Sequence, residues 1–109
     1  MAFDAAARAA RDAAFRAFGS PVRVDPDGAA IDRVAILAGA TDVTDYRQAR
    51  MSSETWVLQF KAEEAPAEGA VIALLDTDGV AETERRQVQG KPQFLDSRRL
   101  VVEADTRPA

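Results

Sequence analysis

One helix-forming segment followed only by strand-forming segments most limits what this chain can fold into. Residues 4–18 are rich in alanine, and Gly19-Ser20-Pro21 ends the helix that they predict. Asp4 is suited to be the N-cap or a first-turn acid, where a carboxylate meets unpaired amides and the positive end of the helix dipole, and Gly19 can take the left-handed conformation common after a helix. The apolar segments that follow are short and separated by turns. This order predicts a mainly β domain with one N-terminal α-helix.

The strand pattern is clearest at Trp56, Leu58 and Phe60, which alternate with polar side chains. Residues 71–75 form a continuous apolar run, typical of a strand that is covered on both faces. The other strands are predicted at 22–24, 31–37, 84–89, 93–95 and 98–104. We therefore expect a single domain over residues 1–109, with a small antiparallel β-barrel or sandwich over 22–104 and a flexible tail over 105–109.

Composition excludes several classes of function. Histidine and cysteine are absent, so the usual acid–base, nucleophilic and metal-ligating side chains are missing. The formal net charge of −4 argues against nucleic-acid binding as the main purpose. No apolar run approaches the ~20 residues that span a membrane. We expect no catalytic residues, no cofactor and no metal site.

Two acidic segments, 25–28 and 76–79, have a faint likeness to calcium loops. In both, glycine directly follows the second acid, whereas an EF-hand has three spaced acids before its glycine and a glutamate six residues after it. We interpret both segments as turns in which aspartate accepts local hydrogen bonds.

The predicted helix carries an apolar stripe that ends at Phe18, and Phe15 lies outside it between Arg8 and Arg11. One interpretation is a wide apolar face, with the aliphatic stem of Arg11 extending past Phe15. The other is an aromatic anchor for a partner subunit. The sequence leaves both open.

Residues 38–53 form a long connection between two predicted strands. Within it, residues 42–50 are long enough for a helical turn or two that carries Tyr46, Arg47 and Arg50. Long connections are often functional, so this is either an interaction loop or merely a mobile one.

Two arginine pairs, Arg85-Arg86 and Arg98-Arg99, lie on either side of a predicted hairpin. We interpret them as decoration of a solvated sheet face. The alternative is a basic patch for an acidic partner or a DNA backbone.

The layout as a whole resembles a family of small phage proteins, the head–tail joining proteins of long-tailed phages. These are also called head completion or stopper proteins, and related versions occur in prophages and gene transfer agents. The similar segments are Met1–Asp4, Phe18-Gly19, Pro21–Val24, Trp56–Phe60, Gly69–Ile72, and Val88–Gly90 before a hairpin turn at Asp96. One departure is Ala70, where the family often carries aspartate after the glycine.

The resemblance implies a small β-barrel or sandwich with an appended helix and no catalytic residues. It also implies a homo-oligomeric ring between the portal or adaptor protein and the tail terminator or tail tube protein. Such a ring belongs to a virion or phage-like particle assembled in the bacterial cytoplasm. DNA would pass through without specific binding, which suits a negatively charged conduit.

A closed ring of identical subunits needs two different contact patches on each chain. We expect Arg11 and Phe15 to form one patch, and Tyr46, Arg47 and Arg50 to form the other or to meet a partner ring. Two alternative functions remain at this point: a tail terminator or other tail component, and a small ligand-binding or enzymatic β-barrel. A deep pocket of convergent carboxylates would favour the enzyme, and a rim of arginine and aromatic side chains would favour assembly.

Overall fold

The computed structural model describes residues 2–41, 55–95 and 98–109. One α-helix precedes six β-strands, and a short 3₁₀ turn over Ala62–Glu64 follows the third strand. The elements are α1 (Ala2–Phe18), β1 (Ser20–Val24), β2 (Ile31–Thr41), β3 (Thr55–Lys61), β4 (Val71–Leu75), β5 (Glu82–Phe94) and β6 (Val101–Pro108).

The six strands form a closed antiparallel barrel in the order β1-β2-β3-β6-β5-β4. Pairing of β1 with β4 closes it, with Val22 opposite Leu74 and Val24 opposite Ile72. Closure leaves no long sheet edge exposed along the body of the barrel. The prediction of a mainly β domain with one N-terminal helix is confirmed, and the body is a barrel.

Alternating side chains fill the interior of the barrel. Leu58 and Phe60 are buried and Trp56 is half-buried, which confirms the face predicted for β3. Each fully buried large apolar side chain contributes about 1.5–3 kcal/mol to stability. The buried core consists of Val22, Ala35, Leu58, Phe60, Ile72, Val88, Val102 and Ala104.

The last strand differs most from expectation, because β6 continues to Pro108 where a tail was expected from Asp105. Thr106 lies opposite Trp56 on β3, and Pro108 lies opposite Arg86 on β5. The Thr106 hydroxyl donates to the Trp56 carbonyl at 2.9 Å and has no exposed surface. Hydrogen bonds to β3 and β5 therefore keep residues 105–108 in the barrel, although their polar sequence predicts a solvent-exposed tail.

β5 is also longer than expected. Its residues 82–94 form one strand, with a register shift between Gln89 and Gln93, where two separate strands were expected. The shift marks an irregularity at which a strand bends without ending.

Both acidic segments are turns, as predicted. Asp25 Oδ2 accepts the Ala29 amide at 3.1 Å, and Asp76 Oδ1 accepts the Val80 and Ala81 amides at 3.1 and 3.3 Å. These carboxylates stabilise their own loops by accepting backbone amides four or five residues further along the chain.

α1 ends at Phe18, as predicted, but Gly19 does not take the left-handed conformation expected there. The Gly19 amide donates to the Phe15 carbonyl at 2.9 Å, yet Gly19 is not among the glycines with positive φ. A Cβ at Gly19 would overlap the Phe15 carbonyl and the Val34 side chain. Close approach of the helix end to β2 thus requires glycine here. The described residues contain no helix long and apolar enough to cross a membrane.

Candidate functional site

Arg11 joins α1 to the loop that follows β3. Its Nη1 and Nη2 donate to the two Glu63 carboxylate oxygens at 2.7 and 2.9 Å, and Nη1 also donates to the Leu100 carbonyl at 3.1 Å. Its Nε donates to Asp12 Oδ1 at 3.0 Å. The paired bonds to one carboxylate are of the strong, charge-assisted kind. Arg11, expected to contact a partner, is thus engaged in holding the helix on the barrel.

These bonds shift the pKa of both carboxyl groups. The hydrogen bond from Arg11 lowers the pKa of Glu63, with help from the backbone amide of Glu63. The hydrogen bond from Arg11 also lowers the pKa of Asp12. The positive charge of Lys61, whose Nζ lies 3.5 Å from Asp12 Oδ1, lowers that pKa further. Both acids are therefore ionised at neutral pH, and the tether is complete there.

Phe15 is 3% exposed and lies against β2 near Val34. Phe18, which the predicted apolar stripe placed inward, is 75% exposed. The buried face of α1 is therefore turned from the predicted stripe toward Arg11 and Phe15. The burial of Phe15 argues against an open aromatic anchor, and the exposure of Phe18 shows that the apolar face is shifted around the helix. Tyr46, Arg47 and Arg50 lie outside the described residues.

An open groove lies at the end of the barrel where β3 finishes and β5 extends. It has a volume of about 520 Å³. The lining is mostly apolar and comes from the 62–68 loop, from β5 and from Val102 on β6. We call this the end groove: Ala62, Ala65, Pro66, Ala67, Glu68, Lys91, Pro92, Phe94 and Val102.

The rim of the end groove combines an aromatic ring with cations. Phe94 is 52% exposed, and the Arg99 guanidinium carbon lies 5.2 Å from the centroid of its ring. Lys91 belongs to the groove lining, and Glu68 is the one carboxylate among the described lining residues. An exposed aromatic side chain beside an arginine is typical of a protein contact surface.

The edge of β5 at this groove is protected against strand addition. The pairing of β4 with β5 ends with Val71 opposite Gln87, and the Val88 amide and carbonyl bond residues 69 and 70. Farther along β5 come Lys91 and Pro92. A lysine and a proline, which has no amide hydrogen, disfavour pairing of another strand there. A partner is therefore expected to contact the end groove through its side chains and not by adding a strand to β5.

The opposite end of the barrel holds a buried polar cluster around Arg86. Its Nε and Nη2 donate to the hydroxyl and carbonyl of Thr106 at 3.2 and 2.9 Å, and Nη1 lies 3.5 Å from Glu84. A smaller cleft of about 170 Å³ opens nearby, lined in part by Leu37 and Trp56. The prediction that Arg86 decorates a solvated face is wrong, because Arg86 has no exposed surface.

A sequence signal for Arg86 existed. Glu84, Arg86 and Val88 share one side of β5 by simple alternation, and Val88 is in the core. The two arginine pairs are also far apart. Phe94, near Arg99, is about 20 Å beyond Arg86 along the barrel, since six paired residues of β6 separate their partners.

Within the described residues, no group of three or more acidic, histidine or cysteine side chains is placed to hold a metal ion. Comparison with protein-family models, with curated proteins and with solved structures finds no match to this chain.

Proposed function

We propose that this protein is a structural head–tail connector of a tailed phage-like particle, forming a ring between the portal or adaptor protein and the tail. The observation that carries the proposal is a closed six-stranded barrel with a helix fixed to its outer face. That is the architecture implied by the resemblance of Phe18–Val24 and Trp56–Phe60 to the opening and body of head–tail joining proteins.

The surface chemistry supports contact making over bond making. The end groove is apolar and open, its rim carries Arg99 beside Phe94, and it holds a single described carboxylate, Glu68. Acid–base catalysis uses titratable side chains that converge within hydrogen-bond reach of a substrate, and the groove lining is mostly apolar instead. A subunit that positions other proteins needs exposed apolar and arginine side chains instead.

The net charge supports passage of DNA without capture. The chain carries 18 acidic and 14 basic side chains, and Arg11, Arg23 and Arg85 are engaged by its own carboxylates. The excess of carboxylates repels phosphates, whose neutralisation by cations is the main source of non-specific affinity for DNA.

Electron microscopy of particles from a strain lacking this gene tests the proposal. We expect DNA-filled heads and complete free tails to accumulate separately, and expression of the gene in trans to restore joined particles. Tails of irregular length would instead assign the protein to tail termination. Intact tailed particles would contradict any connector role.

A further inference from the structure

The turn between β4 and β5 projects an apolar side chain from an acidic surface. Val80 is 75% exposed. Asp76, Asp78 and Glu82 surround it in sequence. Arg85, the nearest cation along β5, is already bound by Asp27 and Glu82, at 2.7 Å each. Residues 76–82 therefore form a negatively charged knob, which we call the acidic turn.

The acidic turn and the end groove cannot meet within one chain. The acidic turn ends at Glu82, the first residue of β5, and Phe94 of the end groove is the last residue of the same strand. Thirteen residues of β5, with a register shift between Gln89 and Gln93, separate them by roughly 30 Å, which is too far for Val80 to reach the groove of its own chain. Any contact between the two surfaces is a contact between copies.

Charge favours Val80 over Phe18, which is equally exposed, as the apolar side chain that enters the end groove. The rim of the end groove carries Lys91 and, beside Phe94, Arg99. Phe18 follows Arg16 closely on α1, so its approach would bring like charges together. Approach of Val80 would instead bring the carboxylates of the acidic turn close to Lys91 and Arg99. Opposite charges on the two surfaces favour their association.

We propose that the end groove binds the acidic turn of a second copy of this chain, with Val80 in the groove and Asp78 near the basic rim. The two patches differ, so the contact is head-to-tail, and every assembly that has not closed into a ring keeps a free knob at one end and a free groove at the other. Its place in a particle rests on the proposed function, whereas the contact itself is a property of the purified protein.

Sedimentation velocity of the full chain, from micromolar to millimolar concentration, tests the contact. We expect the mean mass to rise with concentration. Val80→Asp should weaken association about tenfold or more, because it replaces the apolar anchor with a charge. Ala67→Glu should do the same by adding a carboxylate to the groove. Ala9→Glu, the same change on the exposed side of α1, should associate like the unchanged protein.

Mixing the variants gives the sharper test. Val80→Asp keeps an intact groove and Ala67→Glu an intact knob, so an equimolar mixture should form 1:1 dimers and nothing larger. A wild-type protein that stays monomeric at millimolar concentration would overturn the inference. The inference would also be overturned if Ala67→Glu abolished association and Val80→Asp did not, because a segment other than the acidic turn would then occupy the end groove.

A cysteine pair offers an independent readout, since the chain has no cysteine of its own. Val80→Cys with Ala67→Cys should give a ladder of disulfide-linked oligomers on oxidation, and Ala9→Cys with Ala67→Cys should give far less. Equal ladders would overturn the contact. These results are independent of the gene-deletion experiment. Intact tailed particles would contradict the connector role without affecting the proposed contact. A purified protein that stays monomeric would contradict the contact without affecting the connector role.

Discussion

The guanidinium carbon of Arg86 lies 4.3 Å from the centroid of the Trp56 ring, inside the closed barrel. A buried cation is costly unless its donors are satisfied. Here the ring face stacks on the guanidinium, Thr106 accepts two hydrogen bonds, and Glu84 supplies a partly exposed carboxylate. The planar fork of arginine suits this arrangement in a way that a lysine ammonium does not.

Replacing Arg86 with lysine should therefore destabilise the fold by about 2 kcal/mol, through lost stacking and lost donors to Thr106. Urea unfolding measures this effect, with the fluorescence of Trp56, the single tryptophan, as the probe. Arg107→Lys, on an exposed position of β6, is the matched control and should change stability by less than about 0.5 kcal/mol. Equal unfolding midpoints for the two variants would contradict a stabilising role for the Arg86–Trp56 contact.

Sequence predicted the parts of the fold that depend on local signals. The glycine–proline end of α1 and the alternation of Trp56, Leu58 and Phe60 are such signals, and both fell where expected. Arg86 and Thr106 were missed because their burial depends on partners from other strands. Charge and polarity alone predict exposure for both residues.

The candidate site was less predictable for a related reason. Arg11 was predicted to contact a partner subunit, whereas in the structure it bonds Glu63 and the Leu100 carbonyl, which are 52 and 89 residues away in sequence. The end groove likewise arises where the 62–68 loop meets β5. No pattern within either segment indicates that meeting.

Phe15 and Phe18 form a natural pair for testing how α1 is held, since they share a helix and differ in burial. Phe15→Ala should cost about 2–4 kcal/mol, because it removes a side chain that is 3% exposed and leaves a cavity against β2. Phe18→Ala should cost less than about 0.5 kcal/mol, because that ring is 75% exposed. Thermal or urea unfolding compares them. A larger loss for Phe18 would mean that the stripe predicted from sequence is the buried one.

Gly19 and Gly39 test whether close approach, rather than backbone conformation, requires glycine at the helix end. Neither has a positive φ, but a Cβ at Gly19 overlaps Phe15 and Val34, whereas one at Gly39 meets nothing within 4 Å. Gly19→Ala should destabilise by about 1–3 kcal/mol through overpacking. Gly39→Ala should be neutral or slightly stabilising, since alanine loses less entropy in a strand. Equal effects on the unfolding midpoint would count against the overlap.

Acid should loosen α1 from the barrel through Glu63. Its pKa lies below its ordinary value of 4.5 in the folded protein because Arg11 donates to its carboxylate. A group with a lowered folded pKa binds more protons when unfolded, so its contribution to stability is complete above about pH 4.5. That contribution falls as the pH drops through the lower folded pKa. Asp12, whose pKa Arg11 also lowers, acts in the same direction.

Comparison of the protein with its Glu63→Gln variant isolates this contribution, because glutamine cannot titrate. The gap between their thermal unfolding midpoints should be widest near neutral pH and should shrink as the pH falls below about 4. Glu64→Gln, in the same 3₁₀ turn, leaves the Arg11–Glu63 bonds in place and should follow the unchanged protein across the range. A gap that stays constant down to pH 3 would show that Glu63 acts by shape or polarity, because a charge-dependent tether must vanish once the carboxylate is protonated.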